Sequence, residues 1–500
     1  MCLKRSELDF RKLISDFVDT VKADPELRKK YFHGNVNAFT RNRLLPLEKL
    51  TFHILTRGSQ DLNKCLISEF GNGDKRPDKS ALVKAMAKID ISYWKDLCSY
   101  ITTNAMKMVN MKTYRGYRLY AIDSTTLALA PYDPDCFQSN MVTHGQVSSY
   151  YALHINSLYD VCNDMFVDNV IQKGKELDER KAAIAMIHRI RSEIEKQIFL
   201  FDRGYPSYNL IAHLIKNGQF FLIRSTNTAS IGGTLWEKYG GGKKEGSINV
   251  TINLTRVSQT TLNRLNGYED YIYLPANVKF DYLPEKSLLK RGRRNSDEDI
   301  EKAIKECSYS LSFRVVRVKI GDEGSEDEYE TLITNLSEEE FSPEELKELY
   351  FRRWSHEVSF RELKHHEHLL YLHAKKTDSV IAEIYAAVML HNMTAAMSLT
   401  AVEIAEERNQ KFEEMANKLK PEDGIISKRR RRLKSLPEES FGINHSKAVG
   451  AMVCFLRRSN ETVAELLKEL VRNPVPIKLE RSFERRLRPR GFMGFTYRAA

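Results

Sequence analysis

Residues 117–126 read YRLYAIDSTT, an apolar run that ends on an aspartate. Tyr117 to Ile122 are mostly aromatic, branched or small, as a buried strand requires, and Asp123 opens a polar run of Ser124, Thr125 and Thr126. A carboxylate ending a buried strand is costly unless a cation or a donor meets it. The sequence downstream supplies the neighbours of that strand. YYALHINSLYD (150–160) and MFVDNVIQ (165–172) read as two more strands, ELDERKAAIAMIHRIRSEI (176–194) as a helix, QIFLFD (197–202) as a strand, SYNLIAHLIKNG (207–218) as a helix and FFLIRS (220–225) as a strand. That order predicts an α/β fold whose sheet is mixed, antiparallel at its start and parallel through the helical crossovers. Asp202 closes QIFLFD as Asp123 closes YRLYAID, so two acids are expected at the ends of neighbouring strands.

Residues 226–328 interrupt this pattern. INVTINLTRV (248–257) and YIYLP (271–275) alternate like half-buried strands, and IGGTLW and YGGGKKEG supply turn residues, which predicts a β-rich insertion. GGGKKEGS lacks the G-x-x-x-x-G-K-[ST] spacing of a phosphate loop and reads as a hairpin turn. YETLITNL (329–336) resumes the core. The expected division is then a helical N-terminal region (1–112), a first core segment (113–225), the insertion (226–328), a second core segment (329–400) and a helical, basic C-terminal region (401–500).

The 500 residues suffice for several cores. Lys and Arg number 78 against 67 Asp and Glu, a net charge of +11 that favours a polyanionic partner. Seven scattered cysteines without C-x-x-C spacing indicate neither a disulfide framework nor a zinc site, and suit a reducing cytoplasm. MCLKRSELDF lacks the apolar segment of a signal peptide. IYAAVMLHNMTAAMSLTAV (384–402) has the length of a membrane span, but His391, Asn392 and Thr394 at its centre argue for a buried helix and no membrane.

In the N-terminal region PDKSALVKAMAKI (77–89) is the clearest helix, and Arg41, Arg43, Lys64, Lys79 and Lys84 mark either a DNA-binding surface or an ordinary solvated face. In the C-terminal region AVGAMVCFLRR (448–458) and TVAELLKELV (462–471) read as packed helices. KRRRRLK (428–434) reads as a solvated loop or a DNA-backbone contact, and RSFERRLRPRGFMGF (481–495) as a basic tail.

Ser342, Pro343 and Glu345 spell a helix start with a capping box, ahead of YFRRWSHEVSFRELKHHEH (350–368). On one continuous helix Tyr350, Arg353, Glu357, Arg361, Lys364 and His368 share a face within roughly 80°. Phe351, Trp354, Val358 and Leu369 form an adjoining apolar stripe expected to dock the helix on a core. The charged row is either a solvated stripe of i, i+4 pairs or the partner of the two strand-end acids. With Glu357 brought to Asp123 and Asp202, three hard oxygen donors would meet, a set that suits two Mg²⁺ or Mn²⁺ ions activating a nucleophile and stabilising the leaving oxygen of a phosphodiester. His365, His366, His368 and His373 lack H-E-x-x-H spacing and are expected to be solvated or near DNA. Asp160, Asp164 and Asp168 lie in the strand region, and alternation turns Asp168 outward to the surface.

Tyr350, Arg353, Glu357 and Lys364, at their spacings, resemble the Y-R-E-K signature of the insertion-sequence-four family of cut-and-paste DDE transposases from bacterial insertion sequences. FDRGY (201–205) is similar to that family's D-x-G-Y motif, and AIDSTT (121–126) to its first-aspartate strand; the resemblance runs from about 117 to 400. It implies a ribonuclease-H-like catalytic core with a β-rich insertion before the glutamate. It implies Asp123, Asp202 and Glu357 as ligands of two Mg²⁺ (Mn²⁺ substituting), with Tyr350, Arg353 and Lys364 holding the transposon end and Arg361 beside them. The implied partners are double-stranded DNA, as inverted-repeat ends and as target, and a second copy of the chain in a synaptic complex, in a bacterial cytoplasm at the nucleoid. Relatives pass through a DNA hairpin with a flipped base stacked on an aromatic of the insertion, for which Trp236 is the candidate. The rival expectations are a DNA-binding protein that no longer cuts, and a ribonuclease-H-like nuclease without strand transfer.

Overall fold

The computed structural model describes residues 9–41, 43–71, 76–143, 146–190, 196–227, 230–289, 295–320, 328–418, 441–472 and 474–476. Six helices open the chain: α1 (Phe10–Ala23), α2 (Pro25–Tyr31), α3 (Leu47–Thr56), α4 (Leu62–Phe70), α5 (Lys79–Met86) and α6 (Ile91–Met108). All but α3 begin at an aspartate whose carboxylate accepts a first-turn backbone N–H, so the starts are written in Asp9, Asp24, Asp61, Asp78 and Asp90.

The sheet-forming part follows as β1 (Tyr117–Leu129), β2 (Phe137–Thr143), β3 (Gln146–Asp160), β4 (Met165–Lys173), α7 (Glu179–Arg189), β5 (Lys196–Phe201), α8 (Tyr208–Lys216) and β6 (Phe220–Ser225). Next come α9 (Ile231–Tyr239), β7 (Gly246–Thr255), α10 (Gln259–Leu262), β8 (Tyr271–Tyr273), α11 (Asp297–Glu306), β9 (Ser308–Lys319) and β10 (Tyr329–Thr334). Three helices complete it: α12 (Pro343–Phe351), α13 (Trp354–His365) and α14 (Thr377–Lys418). Two further helices, His445–Arg457 and Val463–Leu470, cover the stretches expected to be helical near the C-terminus. KRRRRLK and RSFERRLRPRGFMGF lie outside the described residues.

One ten-stranded mixed sheet runs in the order β2-β3-β1-β5-β6-β10-β9-β7-β8, with β4 also pairing β3. β1 is antiparallel to β3 and parallel to β5, and β5 is parallel to β6, as the alternation of strands and helices requires. Residues 226–328, expected as a β-rich insertion, do not form a separate sheet. Their strands β9, β7 and β8 extend this same sheet, because β10 is paired on one side by β6 and its other edge of backbone donors is covered by β9.

Alternation along the strands sorts their side chains onto two faces. Tyr120, Ile122, Phe199 and Phe201 pack with α7, α8 and α9 on one face. Tyr117, Leu119, Ala121, Ile198 and Leu200 pack with Leu346, Leu349 and Tyr350 of α12 on the other. The N-terminal helices, α14 and the helices near the C-terminus share one further core with β3 and β4. α14 runs through its centre. His391, Asn392 and Thr394 are fully buried there, and the Asn392 amide bonds both the N–H and the carbonyl of Phe166 at 2.8 Å. The 384–402 stretch is thus a core helix whose polar groups are answered by protein.

Candidate active site

Asp123 shares the parity of Tyr117, Leu119 and Ala121, and Asp202 that of Ile198 and Leu200. Both carboxylates are therefore set toward the face carrying α12. The parallel register ends at Ile122 opposite Phe201, so the next residues on the two strands, Asp123 and Asp202, are neighbours. Asp202 follows the end of β5 as expected. Asp123 does not end its strand: β1 continues to Leu129 because β3 goes on pairing it after β5 has stopped.

The cation that meets these acids is Arg353. Its Nη1 lies 3.1 Å from Asp123 Oδ2, and its Nη2 lies 2.8 Å from Glu357 Oε1 and 4.0 Å from Asp202 Oδ1. Tyr350 donates its hydroxyl to Asp202 Oδ1 at 3.2 Å and accepts from Arg353 Nε at 3.2 Å. Lys364 Nζ reaches Thr125 Oγ1 at 2.5 Å, two residues along β1 from Asp123. Burial pushes the Asp123 carboxyl up, Arg353 opposes this, and Asp202 and Glu357 add to it, leaving it at about 6. Burial alone would lower the Arg353 guanidinium, but Tyr350, Glu357, Asp202 and Asp123 outweigh it and hold the proton more firmly than usual.

The local sequence builds this geometry in steps. Ser342 and Glu345 form both bonds of the capping box, with Pro343 in the first turn, and start α12 over the sheet. The stretch 350–368 is not one helix. α12 stops at Phe351, Arg352 and Arg353 form a tight turn with their N–H groups on Leu349 and Tyr350, and α13 starts at Trp354. The expected docking face is also corrected. Phe351, Trp354 and Val358 are 64%, 41% and 37% exposed, and Leu369 alone of that stripe is buried. Arg353, His356, Ser359, Phe360 and Leu363 turn inward instead. His356 fixes the register: its Nε2 lies 2.8 Å from Ser157 Oγ, and its ring stacks on Tyr159 at 4.9 Å. Ser157 is the cross-strand partner of Asp123, so this contact sets Glu357 beside the two aspartates.

Other expected residues fall elsewhere. IGGTLW, expected as turn, is the start of α9; Trp236 there is 4% exposed, with its indole N–H on the Lys243 carbonyl, so it fills a core and presents no face to a flipped base. Arg361 is exposed on α13. Arg41 and Arg43 are exposed and line a groove of about 1180 Å³ with Lys84 and Lys88, whereas Lys79 is paired with Asp61 at 3.0 Å. Asp168 is partly buried and paired with Arg189 at 2.6 Å, and Asp160 is buried against Arg118 at 3.0 Å. Of the four histidines, His373 is not solvated: it is held by Glu383 and the Gln60 carbonyl. Glu179, which takes a hydrogen bond from Ser124, went unnoticed in the sequence because a first-turn acid in a helix is usually a dipole partner.

The family model of the transposase DDE domain matches residues 114–393, more than half of the chain, and the chain belongs to that family. Its members are metal-dependent enzymes that cleave and transfer DNA. Among solved structures the chain is similar to a piggyBac transposase synaptic complex with hairpin DNA, determined by cryo-EM. That likeness has a TM-score of 0.39 at 9% identity and covers 97% of this chain and 86% of that one. No curated protein matches the sequence.

Proposed function

We propose that the chain is a cut-and-paste transposase that binds the inverted-repeat ends of its own element, cleaves them, and joins the freed 3′-hydroxyls to target DNA. The observation that carries this reading is the convergence of Asp123, Asp202 and Glu357 on the single guanidinium of Arg353. One cation facing three carboxylates leaves the site short of positive charge, and an all-oxygen donor set fits Mg²⁺ or Mn²⁺. Asp123, Asp202 and Glu357 would hold two such ions, which when bound supply Lewis acidity at the attacking and leaving oxygens of a phosphodiester. The strand order β4-β3-β1-β5-β6, antiparallel then parallel, supports a ribonuclease-H-like core.

Arg353 and Tyr350 are inward-facing, so their first task is to hold the three acids in place; a DNA phosphate entering the site then offers them a second anionic partner. Lys364, whose ammonium is lowered by burial, anchors the far end of the same face at Thr125 and adds charge beside the DNA path. Arg361, Arg41 and Arg43 remain exposed for backbone contacts. Two copies act together, each cutting one end.

The test is a gel assay with DNA carrying the flanking inverted repeats and Mg²⁺, comparing the wild type with Glu357→Gln. The expected result is nicked and joined products from the wild type alone, and the same gel resolves any hairpin-ended product. Binding without cutting by both proteins would replace this reading with a silent DNA-binding protein, and cutting without joining would replace it with a nuclease.

A further inference from the structure

A second cluster of donors lies at the opposite end of α13 from the Asp123 site. Glu362 of α13, His391 of α14 and His445, the first residue of the helix His445–Arg457, each bring a ligand atom within 4.8 Å of the others. Glu367, just past α13, turns its carboxylate into the same group. Its Oε1 lies 3.1 Å from His391 Nδ1 and 2.6 Å from His445 Nε2. Its side chain is 0% exposed, and Oε2 has no hydrogen-bond partner. An unanswered carboxylate oxygen in the interior is expensive, and among buried groups it is an exception that calls for a cause.

We infer that Glu362, His391 and His445 form a binding site for one divalent transition-metal ion of the Zn²⁺ class, with Glu367 packed against both imidazoles. Three observations favour an ion over a bare hydrogen-bonded cluster. First, two imidazoles and one carboxylate bring a nitrogen and oxygen set within 4.8 Å, a donor set that suits Zn²⁺, whereas the all-oxygen set at Asp123 suits Mg²⁺. Second, His391 is already oriented as a metal-bound imidazole is: Nε2 donates to the Asp164 carbonyl at 3.0 Å, which leaves Nδ1 facing the cluster. Third, the open oxygen of Glu367 provides an acceptor that no side chain answers.

The consequence is mechanical. The donors come from three segments far apart in sequence, so one ion would clamp the end of α13 to α14 and to the helix His445–Arg457. Because α13 also carries Glu357, the clamp would fix the helix that presents the third acid of the active site.

The full-length protein, stripped with a chelator, is incubated with Zn²⁺ and desalted, and its metal content is measured by mass spectrometry. The wild type and Glu357→Gln are expected to retain about one zinc per chain, held by three protein donors. The pair Glu362→Gln with His445→Asn is expected to bind about tenfold or more weakly in competition with a chromophoric chelator. The exposed neighbour variant His365→Ala is expected to bind as the wild type does. Zinc absent from the wild type, or equal in the wild type and the double variant, overturns the inference. Cobalt(II) gives a second readout that needs no variant. Intense visible bands of a four-coordinate site support the inference, and the weak spectrum of a six-coordinate ion overturns it.

Discussion

Arg353 shows how one side chain answers several. Its side chain is 3% exposed and faces carboxylates from strand β1, from the residue that follows β5 and from helix α13. Removing it leaves those carboxylates facing one another. Arg353→Ala is therefore expected to destabilise the metal-free protein by about 3 kcal/mol in denaturant unfolding, with millimolar Mg²⁺ recovering part of the loss. An unchanged midpoint would show that the guanidinium does not balance the acids. Asp123 is the complementary case, because burial and its two acidic neighbours together outweigh Arg353 and disfavour its charge. Asp123→Asn is expected to unfold at a higher temperature than the wild type without metal, by about 1–2 kcal/mol of added stability, while losing end cleavage. A lower melting temperature would contradict that balance.

At the scale of elements, the two helices α12 and α13 and the turn between them decide what the site contains. The capping box at Ser342 sets where α12 begins, and through its length where Tyr350 and Arg353 fall. Ser342→Ala is expected to cost about 1 kcal/mol in denaturant unfolding, the usual worth of an N-cap. A shift well below that would mean that packing of Leu346 and Leu349 on the sheet holds the helix without the cap. The periodicity of 350–368 put Tyr350, Arg353, Glu357, Arg361, Lys364 and His368 on one face; the structure brings Tyr350, Arg353 and Glu357 together, sets Lys364 on Thr125 and leaves Arg361 exposed. Which stripe turned inward was not legible, because helical spacing groups residues without saying what they will meet. Two strand carboxylates and Ser157 drew the side with Arg353 and His356 inward, and Trp354 was left half exposed.

Across the whole molecule, α14 ties the N-terminal helices to the rest. Arg57, just after α3, meets Glu383 of α14 at 2.9 Å with both side chains under a tenth exposed, and His373 donates its backbone N–H to the same carboxylate. Burial raises the Glu383 carboxyl, but Arg57 and His373 overcome it and bring it from the usual 4.5 to about 2. The folded state therefore binds this proton less readily than the unfolded chain. The stabilisation is complete above about pH 4.5 and is lost as pH falls toward 2. Glu383→Gln is expected to cost about 3 kcal/mol near pH 7, with the difference from the wild type shrinking between pH 4.5 and 2. A deficit independent of pH would assign the effect to packing.

The local sequence by itself determined most elements and their order: apolar runs made β1, β5, β6 and β10, aspartates and Ser342 capped helices, and the apolar run 384–402 made a buried helix. It also singled out Asp123, Asp202 and Glu357, through the polar break after each apolar run and the resemblance of their motifs to a known family. Only the tertiary structure decided that β7, β8 and β9 extend the core sheet, that Trp236 is packed away, and that Glu362, Glu367, His391 and His445 meet. The reason is physical. Propensity, capping and periodicity act over a few residues and are written locally, whereas edge pairing, the choice of a buried face and the meeting of distant donors depend on which surfaces the rest of the chain leaves to be covered.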